Sequence, residues 1–344
     1  MSRRSPLLEL TLARTREFVR TPEALFWVFA FPLLLALGLG FAFREKLPDR
    51  IPIGVVAGSG ARAAAAQLNA SGALLARIYQ RGEGEAGLRS GKISLLVDPA
   101  APVVYHYDAT RPDSRSARLE ADTALQRAAG RRDPVATQDV HVVERGSRYI
   151  DFLIPGLLGL NLMGTGMWGV GFSIVTARNR KLLKRLVATP MRRSQFLLAQ
   201  IISRLFFLVF EVVTLVGFGW LVFGVAVRGS LILLALISLL GAMTFAGMGL
   251  LVAARAETVE GVSGLMNLVM LPMWVVSGVF FSAQRFPDAA QPFIRALPLT
   301  ALNEALRGVM NEGAAMSSLL PQLAVLLVWG LLSFAIALRI FRWR

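Results

Sequence analysis

Arg178-Asn179-Arg180-Lys181-Leu182-Leu183-Lys184-Arg185-Leu186-Val187-Ala188-Thr189-Pro190-Met191-Arg192-Arg193 carries seven basic side chains and no acidic one, and it lies between two long apolar runs. Cations at that density cannot stay in hydrocarbon, where each costs several kcal/mol. The flanking runs are therefore separate membrane crossings, and the stretch between them lies in water at the membrane surface. Leu182, Leu183 and Leu186 recur at helical spacing, which predicts a short amphipathic helix along that surface, ended by Pro190. Such a helix is a natural docking face for a cytoplasmic partner. The same charges also serve topology and attraction to anionic headgroups, and the two readings are compatible.

Working outward, the run before it, residues 152–177, is uncharged and rich in glycine, which lets helices approach closely in a bilayer. The run after it, residues 196–227, contains two charges, Arg204 and Glu211. Further spans are expected at 230–254, at 261–281 with a kink at Pro272, and at 319–338. The first span is expected at 25–43. Its 19 uncharged residues reach about 28 Å, enough to cross the core of a bilayer. It reads as a retained anchor rather than a cleaved signal, because no small-residue cleavage site follows and Arg44-Glu45-Lys46 comes at once. Residues 1–24 are basic, with leucines interleaved, as in a cytoplasmic amphipathic segment. Residues 282–318 are too polar for another crossing and predict short helices at the outer surface, a re-entrant segment.

Residues 44–148 are of a different composition, with 28 charged residues and no run long enough to span. Strands are predicted at 51–56, 93–97 and 103–107, and helices at 61–68 and 114–129, the last with apolar positions at Ala117, Ala121 and Leu125 and, fitting the period only weakly, Leu119. The alternation predicts a small α/β domain inserted between the first and second spans. Gly58-Ser59-Gly60 reads as a turn, since it lacks the full G-x-G-x-x-G pattern of a phosphate cradle. The fold class is thus an α-helical integral membrane protein with six transmembrane helices and an inserted α/β domain. The remainder, residues 149–344, holds the other five spans.

Composition agrees: 55% of residues are hydrophobic and mean hydropathy is +0.56. A net charge of +15 would suit a nucleic-acid binder, but its distribution follows topology. Sixteen Lys and Arg fall in the short segments placed inside and four in those opposite, the asymmetry of the positive-inside rule. This puts both termini in the cytoplasm and the α/β domain outside, in a bacterial plasma membrane, with the lipid bilayer as partner and no nucleic acid. Cysteine is absent, which excludes disulfides, thiolate nucleophiles and Cys-held metal. Two histidines, His106 and His141, are too few for a histidine-rich metal site.

Little catalytic chemistry is legible. The chain has no phosphate loop, no H-E-x-x-H and no G-x-S-x-G. Arg204 and Glu211 are the intramembrane polar candidates. They lie seven apart and so on one helical face; Glu211 reads either as a functional carboxylate or as a structural one bonded to a neighbouring span.

Three stretches carry a resemblance. They are Tyr149-Ile150-Asp151-Phe152-Leu153-Ile154-Pro155-Gly156; the basic stretch ending Lys184-Arg185-Leu186-Val187-Ala188-Thr189-Pro190; and Ser277-Gly278-Val279-Phe280-Phe281 with Phe286-Pro287, Leu297-Pro298-Leu299-Thr300 and Glu304-Ala305-Leu306-Arg307-Gly308. Together they resemble the type-2 ATP-binding-cassette permease family over nearly the whole chain. They depart from it at 179–184, which is basic where many members carry an acidic residue. The resemblance implies an exporter subunit that dimerises with a second copy or a paralogue and docks a separate cytoplasmic ATPase. ATP and Mg would be bound on that partner, with no cofactor and no enzymatic activity on this chain. It implies efflux of a drug-like, lipid-like or polymeric substrate, and leaves a periplasmic partner open. It also implies coupling through Arg178, Arg180, Lys181, Lys184, Arg185, Leu186, Thr189 and Pro190, and an outer re-entrant motif at Pro298, Glu304 and Arg307, the last two three apart on one helical face. The alternative is a membrane-anchored sensor or scaffold acting through the α/β domain. A membrane enzyme is disfavoured by the lack of a catalytic cluster.

Overall fold

The structure is a computed structural model and describes residues 11, 12, 15, 16, 18–43, 50–132, 135, 148–181, 193–256 and 258–340, with side chains from residue 202 onward in the helix that begins at Arg193. Most of the 1–24 segment, and residues 182–192 of the surface helix expected within 178–193, lie outside the described residues. The chain divides into two compact units, Met1–Arg44 with Val143–Arg344, and Glu45–Val142.

The first unit is helical. Among the described residues six helices are long and apolar enough to cross a bilayer: α1 (Pro22–Ala42) and, numbering past the second unit, α5 (Tyr149–Asn179), α6 (Arg193–Phe223), α7 (Leu231–Ala253), α8 (Val259–Val276) and α11 (Leu320–Ile340). Short helices α9 (Gln291–Arg295) and α10 (Pro298–Arg307) lie between α8 and α11.

Helix α5 is the hub: 78% of its most apolar window is buried, against 22% for α6, α8 and α11. Its contact with α7 is backbone on backbone. A β-carbon on Gly249 would stand 2.6 Å from the carbonyl oxygen of Met167, and one on Gly171 would stand 2.9 Å from that of Gly249. Without a hydrophobic drive between helices in lipid, such close approach is what holds them. Across α7, Thr244 Oγ1 lies 3.0 Å from the carbonyl of Leu326 in α11, to which it donates.

Prolines shape α1 and α5. Pro32 has no N–H for the carbonyl of Val28, and the α1 backbone widens to a π turn over Phe26–Ala30. Asn161 of α5 donates to that carbonyl at 3.0 Å. Pro155 likewise leaves the carbonyl of Asp151 without its helical donor, and Asn311 supplies one at 2.9 Å. Each asparagine satisfies a polar group that hydrocarbon cannot.

Two helices stop earlier than their apolar runs. The run to Val227 is helical only to Phe223, because Gly224 takes φ 67 and the N–H of Val225 returns to the carbonyl of Gly219, a glycine-terminated cap. The run to Phe281 is helical only to Val276, where Gly278 turns the chain at φ 72. Helix α10 also differs from a surface helix: Leu299, Leu302, Ala305 and Leu306 are fully buried, and it packs on α5, α7 and α11.

The second unit is a four-stranded sheet in the order β2-β1-β3-β4, with β1 (Ile51–Val56) parallel to β2 (Leu74–Tyr79) and to β3 (Leu95–Asp98), and β4 (Val104–His106) antiparallel to β3. Helices α2 (Ala61–Ala70) and α4 (Pro112–Ala128) bury alanines and Leu68 against Ile53, Val55, Leu95 and Val97. On the other face Val56, Ile93 and Leu96 cluster with Tyr79 and with Leu88 of α3 (Arg81–Arg89). Ala117 and Ala121 face inward as their spacing requires, whereas Leu119 is 62% exposed. Leu119 stands two residues from each of them, which puts it on the opposite face of the helix. Gly60 ends the Gly58-Ser59-Gly60 turn at φ 86. Tyr105 of β4 donates its phenol to Asp122 at 3.2 Å, with Arg118 over the ring. Burial, followed by the charge and hydrogen bond of Asp122, pushes the Tyr105 phenol up to about 12.

Candidate functional site

Among the described residues of the helical unit, polar side chains gather at several places, and each ties one element to another. The first lies midway along α6. The Arg204 and Glu211 Cα atoms are two turns apart, and the long guanidinium arm closes the gap along the helix face. Arg204 Nη1 donates to Glu211 Oε1 at 2.6 Å, and Nη2 reaches Thr165 Oγ1 of α5 at 2.7 Å. The single Thr165 hydroxyl hydrogen is shared between the carbonyl of Asn161 at 2.8 Å and Glu211 Oε2 at 3.1 Å. The Glu211 side chain is 1% exposed and that of Arg204 12%. A carboxylate this deep persists only when paired and hydrogen-bonded, and here both conditions hold. The sequence placed the two charges on one face. Thr165, the group that links them to α5, carried no signal because threonine is ordinary in a span.

The second place is the end of α5. Arg178 Nη1 donates to the carbonyls of Ala256 at 2.6 Å and Ala253 at 3.3 Å, and Nη2 to that of Ala254 at 3.3 Å. The last carbonyls of a helix have no partner in their own helix and carry its negative dipole end, so a guanidinium is well matched to them. Of the other residues of the basic stretch, Arg180 and Lys181 are exposed, and Lys181 turns the chain at φ 55. Lys184, Arg185, Leu186, Thr189 and Pro190 lie outside the described residues.

The third place joins the opposite end of α5 to the segment after α8. Arg307 Nε donates to the carbonyl of Phe152 at 3.3 Å, Nη2 donates to that of Gly278, and the guanidinium lies 3.6 Å over the Phe152 ring. Asn303 Nδ2 donates to the carbonyl of Ser277 at 2.9 Å. A β-carbon on Gly156 would stand 2.5 Å from the carbonyl oxygen of Val279, so no larger residue fits there. Pro298 opens α10 at its first turn, where a missing N–H costs nothing, and is buried. Glu304 and Arg307, expected to be neighbours on one face, do not pair. Glu304 is exposed and accepts from Gln322 Nε2 at 3.3 Å, while Arg307 turns to the main-chain carbonyls of Phe152 and Gly278. Glu304 is solvated, and an ion pair with an exposed carboxylate adds little.

A tie that sequence reasoning missed starts α5. Arg148 closes a capping box with Asp151, its Nη2 to Oδ1 at 2.8 Å, and Nη1 also donates to the carbonyl of Phe223 at the end of α6. Its signal was present, an acid three residues after Arg148 and directly before the uncharged run. In the α/β unit a cleft of about 270 Å³ is lined by Gly60, Ala63, Gln67, Pro99, Val103 and Leu125 among others, with no charged side chain. No group of three or more potential metal ligands is present among the described residues.

Residues 22–339 match the family model of the ABC-2 family transporter proteins. The chain is also similar to ABC transporter G family member 20 of Dictyostelium discoideum, 27% identical over 251 residues, which is 72% of this chain and 33% of that relative. It is similar to the linearmycin resistance permease protein LnrN of Bacillus subtilis, 26% identical over 179 residues, 51% of this chain and 46% of the relative. The inner membrane transport permease YhhJ of Escherichia coli is 26% identical over 173 residues, 50% of this chain and 46% of the relative. The matched stretches thus span less than half the length of these relatives.

Proposed function

The chain belongs to the ABC-2 transporter family, and from that premise we propose that it is the membrane-spanning subunit of an ATP-binding-cassette exporter, forming half of a transport pathway with a second copy or a paralogue. The observation that carries the reading is the family match over residues 22–339, a stretch that contains most of six apolar helices of membrane length. ATP and Mg bind on a separate cytoplasmic ATPase, and this chain contributes the path and the coupling surface. The relative named for linearmycin resistance supports efflux of a drug-like compound; lipid-like and polymeric substrates belong to the same reading.

The membrane is a bacterial plasma membrane, with both termini in the cytoplasm and the α/β unit outside, on the strength of the Lys and Arg asymmetry. The ATPase docks on exposed Arg180 and Lys181 and on Lys184, Arg185, Leu186, Thr189 and Pro190. Arg178 does a different task, because its guanidinium holds the carbonyls of the turn from α7 into α8. The Arg204–Glu211–Thr165 cluster holds α6 to α5 and is structural, since its charges are balanced within the chain. A sensor or scaffold is not favoured: six spans are more than an anchor needs.

The test is affinity purification of the tagged chain from its native membranes, with the eluate assayed for an ATPase subunit and ATP hydrolysis. Recovery of an ATPase, lost when Lys181, Lys184 and Arg185 are changed to Glu, is the expected result. A chain that emerges alone under mild detergent would remove the exporter reading.

A further inference from the structure

We infer that Arg178 and Arg307 are positioning residues that fasten α8 to α5 at both ends, so that a displacement imposed at the coupling stretch reaches the far end of α8 through one paired body. The inference rests on the exporter reading, because it needs an ATPase that pushes on that stretch.

The two contacts are alike in kind. Arg178 projects from the last turn of α5 and holds the turn from α7 into α8: the carbonyls of Ala253 and Ala254 at the end of α7, and most closely that of Ala256, three residues before α8 begins at Val259. Arg307 holds the carbonyl of Gly278, two residues after α8 ends at Val276, together with that of Phe152 in the first turn of α5. Asn303 adds the carbonyl of Ser277. All these acceptors are main-chain oxygens, which cannot rotate away as a side chain can. The guanidinium is a planar fork, so two bonds fix orientation as well as distance.

Between the clamps α8 is held along one face only, through Val262, Met266, Met270 and Met273. Only 22% of its most apolar window is buried. Leu265, Leu268, Leu271 and Val275 are 47%, 70%, 49% and 56% exposed, so no described element of this chain covers that face. Pro272 sits within the helix and removes the helical donor of the Leu268 carbonyl, leaving a soft point between the two fixed ends. By contrast α5 is buried along most of its length and in backbone contact with α7, and the carbonyl that its own Pro155 frees takes a donor from Asn311. A rod tied at both ends to a helix with a weak middle transmits motion to the far end and lets the middle bend.

The absence of cysteine makes labelling clean. Spin labels are placed at Asn179→Cys with Glu260→Cys to flank the Arg178 clamp, and in a second preparation at Arg285→Cys with Glu312→Cys to flank the Arg307 clamp; all four positions are exposed. Pulsed EPR distances are recorded on the purified permease–ATPase complex in lipid nanodiscs, without nucleotide and with trapped ATP. The expected result is a nucleotide-dependent shift at both pairs in the parent. In Arg178→Ala the ATPase stays bound, the Asn179–Glu260 distribution broadens, and the shift at the Arg285–Glu312 pair is lost. Arg178→Lys keeps the charge without the fork and serves if the alanine variant does not fold; it too is expected to lose the distant shift while retaining the ATPase. An undiminished shift at the distant pair in either variant overturns the inference. So does release of the ATPase by Arg178→Lys, which would make Arg178 a docking residue and leave the exporter reading standing. Failure of the parent chain to hold any ATPase is a separate result: it removes the exporter reading, and the inference falls with it.

Discussion

Asn161 Nδ2 of α5 lies 3.0 Å from the carbonyl oxygen of Val28 in α1, the acceptor that Pro32 leaves without a donor. Both residues are buried. Removing the amide therefore strands an acceptor where no water replaces it, at a cost of about 1–3 kcal/mol. Asn161→Ala is expected to lower the thermal midpoint in detergent, and Pro32→Ala, which restores a main-chain donor, to remove most of that loss. Strictly additive effects in the double variant would show that the two residues do not share the carbonyl.

Breaking the Arg204–Glu211 pair leaves an uncompensated buried charge, which costs about 3–5 kcal/mol. Glu211→Ala and Arg204→Ala are each expected to destabilise by that order in a reversible detergent unfolding assay. Arg204→Met with Glu211→Leu is expected to regain most of it. A double variant that folds like the parent yet no longer transports would assign the pair a role in the pathway instead.

Backbone contact between α5 and α7 leaves no room at Gly249. A valine there forces the helices apart, at a cost of about 1–3 kcal/mol or more. Gly164 of α5 has nothing within 4 Å of the place a β-carbon would occupy, so Gly164→Ala is expected to be neutral or slightly stabilising. Equal thermal midpoints for the two variants would contradict the packing described.

The Tyr105 phenol, pushed up to about 12 by burial and Asp122, stays protonated where an unfolded tyrosine ionises. Because the folded value is raised, the contribution to stability is fully present below about pH 10, the unfolded tyrosine value, and is lost as pH rises from there through about 12. Difference titration near 295 nm of the parent against Tyr105→Phe reads this group alone. Asp122→Asn is expected to bring the midpoint back toward the ordinary tyrosine range; an unchanged midpoint would leave burial as the whole cause.

Much of the fold is legible in the order of residues. β1, β3, β4, α2 and α4 overlap the runs read as strands and helices, since each carries its own apolar periodicity. β2 and α3 were not read. Leu74–Tyr79 places Arg77 within a strand, and Arg81–Arg89 contains three glycines, so local propensity argues against both. They form because β1 offers a free edge and the second sheet face needs a cover. The ends of α6 and α8 were set by Gly224 and Gly278, glycines whose left-handed turns are visible only once their φ angles are known.

The sequence by itself determined the six apolar helices, the basic stretch between the second and third, the family, and the shared face of Arg204 and Glu211. These follow from transfer free energy and helical period, which are properties of residues and their near neighbours. The tertiary structure alone decided that Arg178 serves the turn from α7 into α8, that Arg307 turns to Phe152 and Gly278 and not to Glu304, and that Asn161 and Asn311 serve carbonyls orphaned by prolines. A proline announces that a carbonyl lacks its donor, but the donor for Val28 lies 133 residues away. Which side chain arrives is settled by how the helices pack, and no local pattern records it.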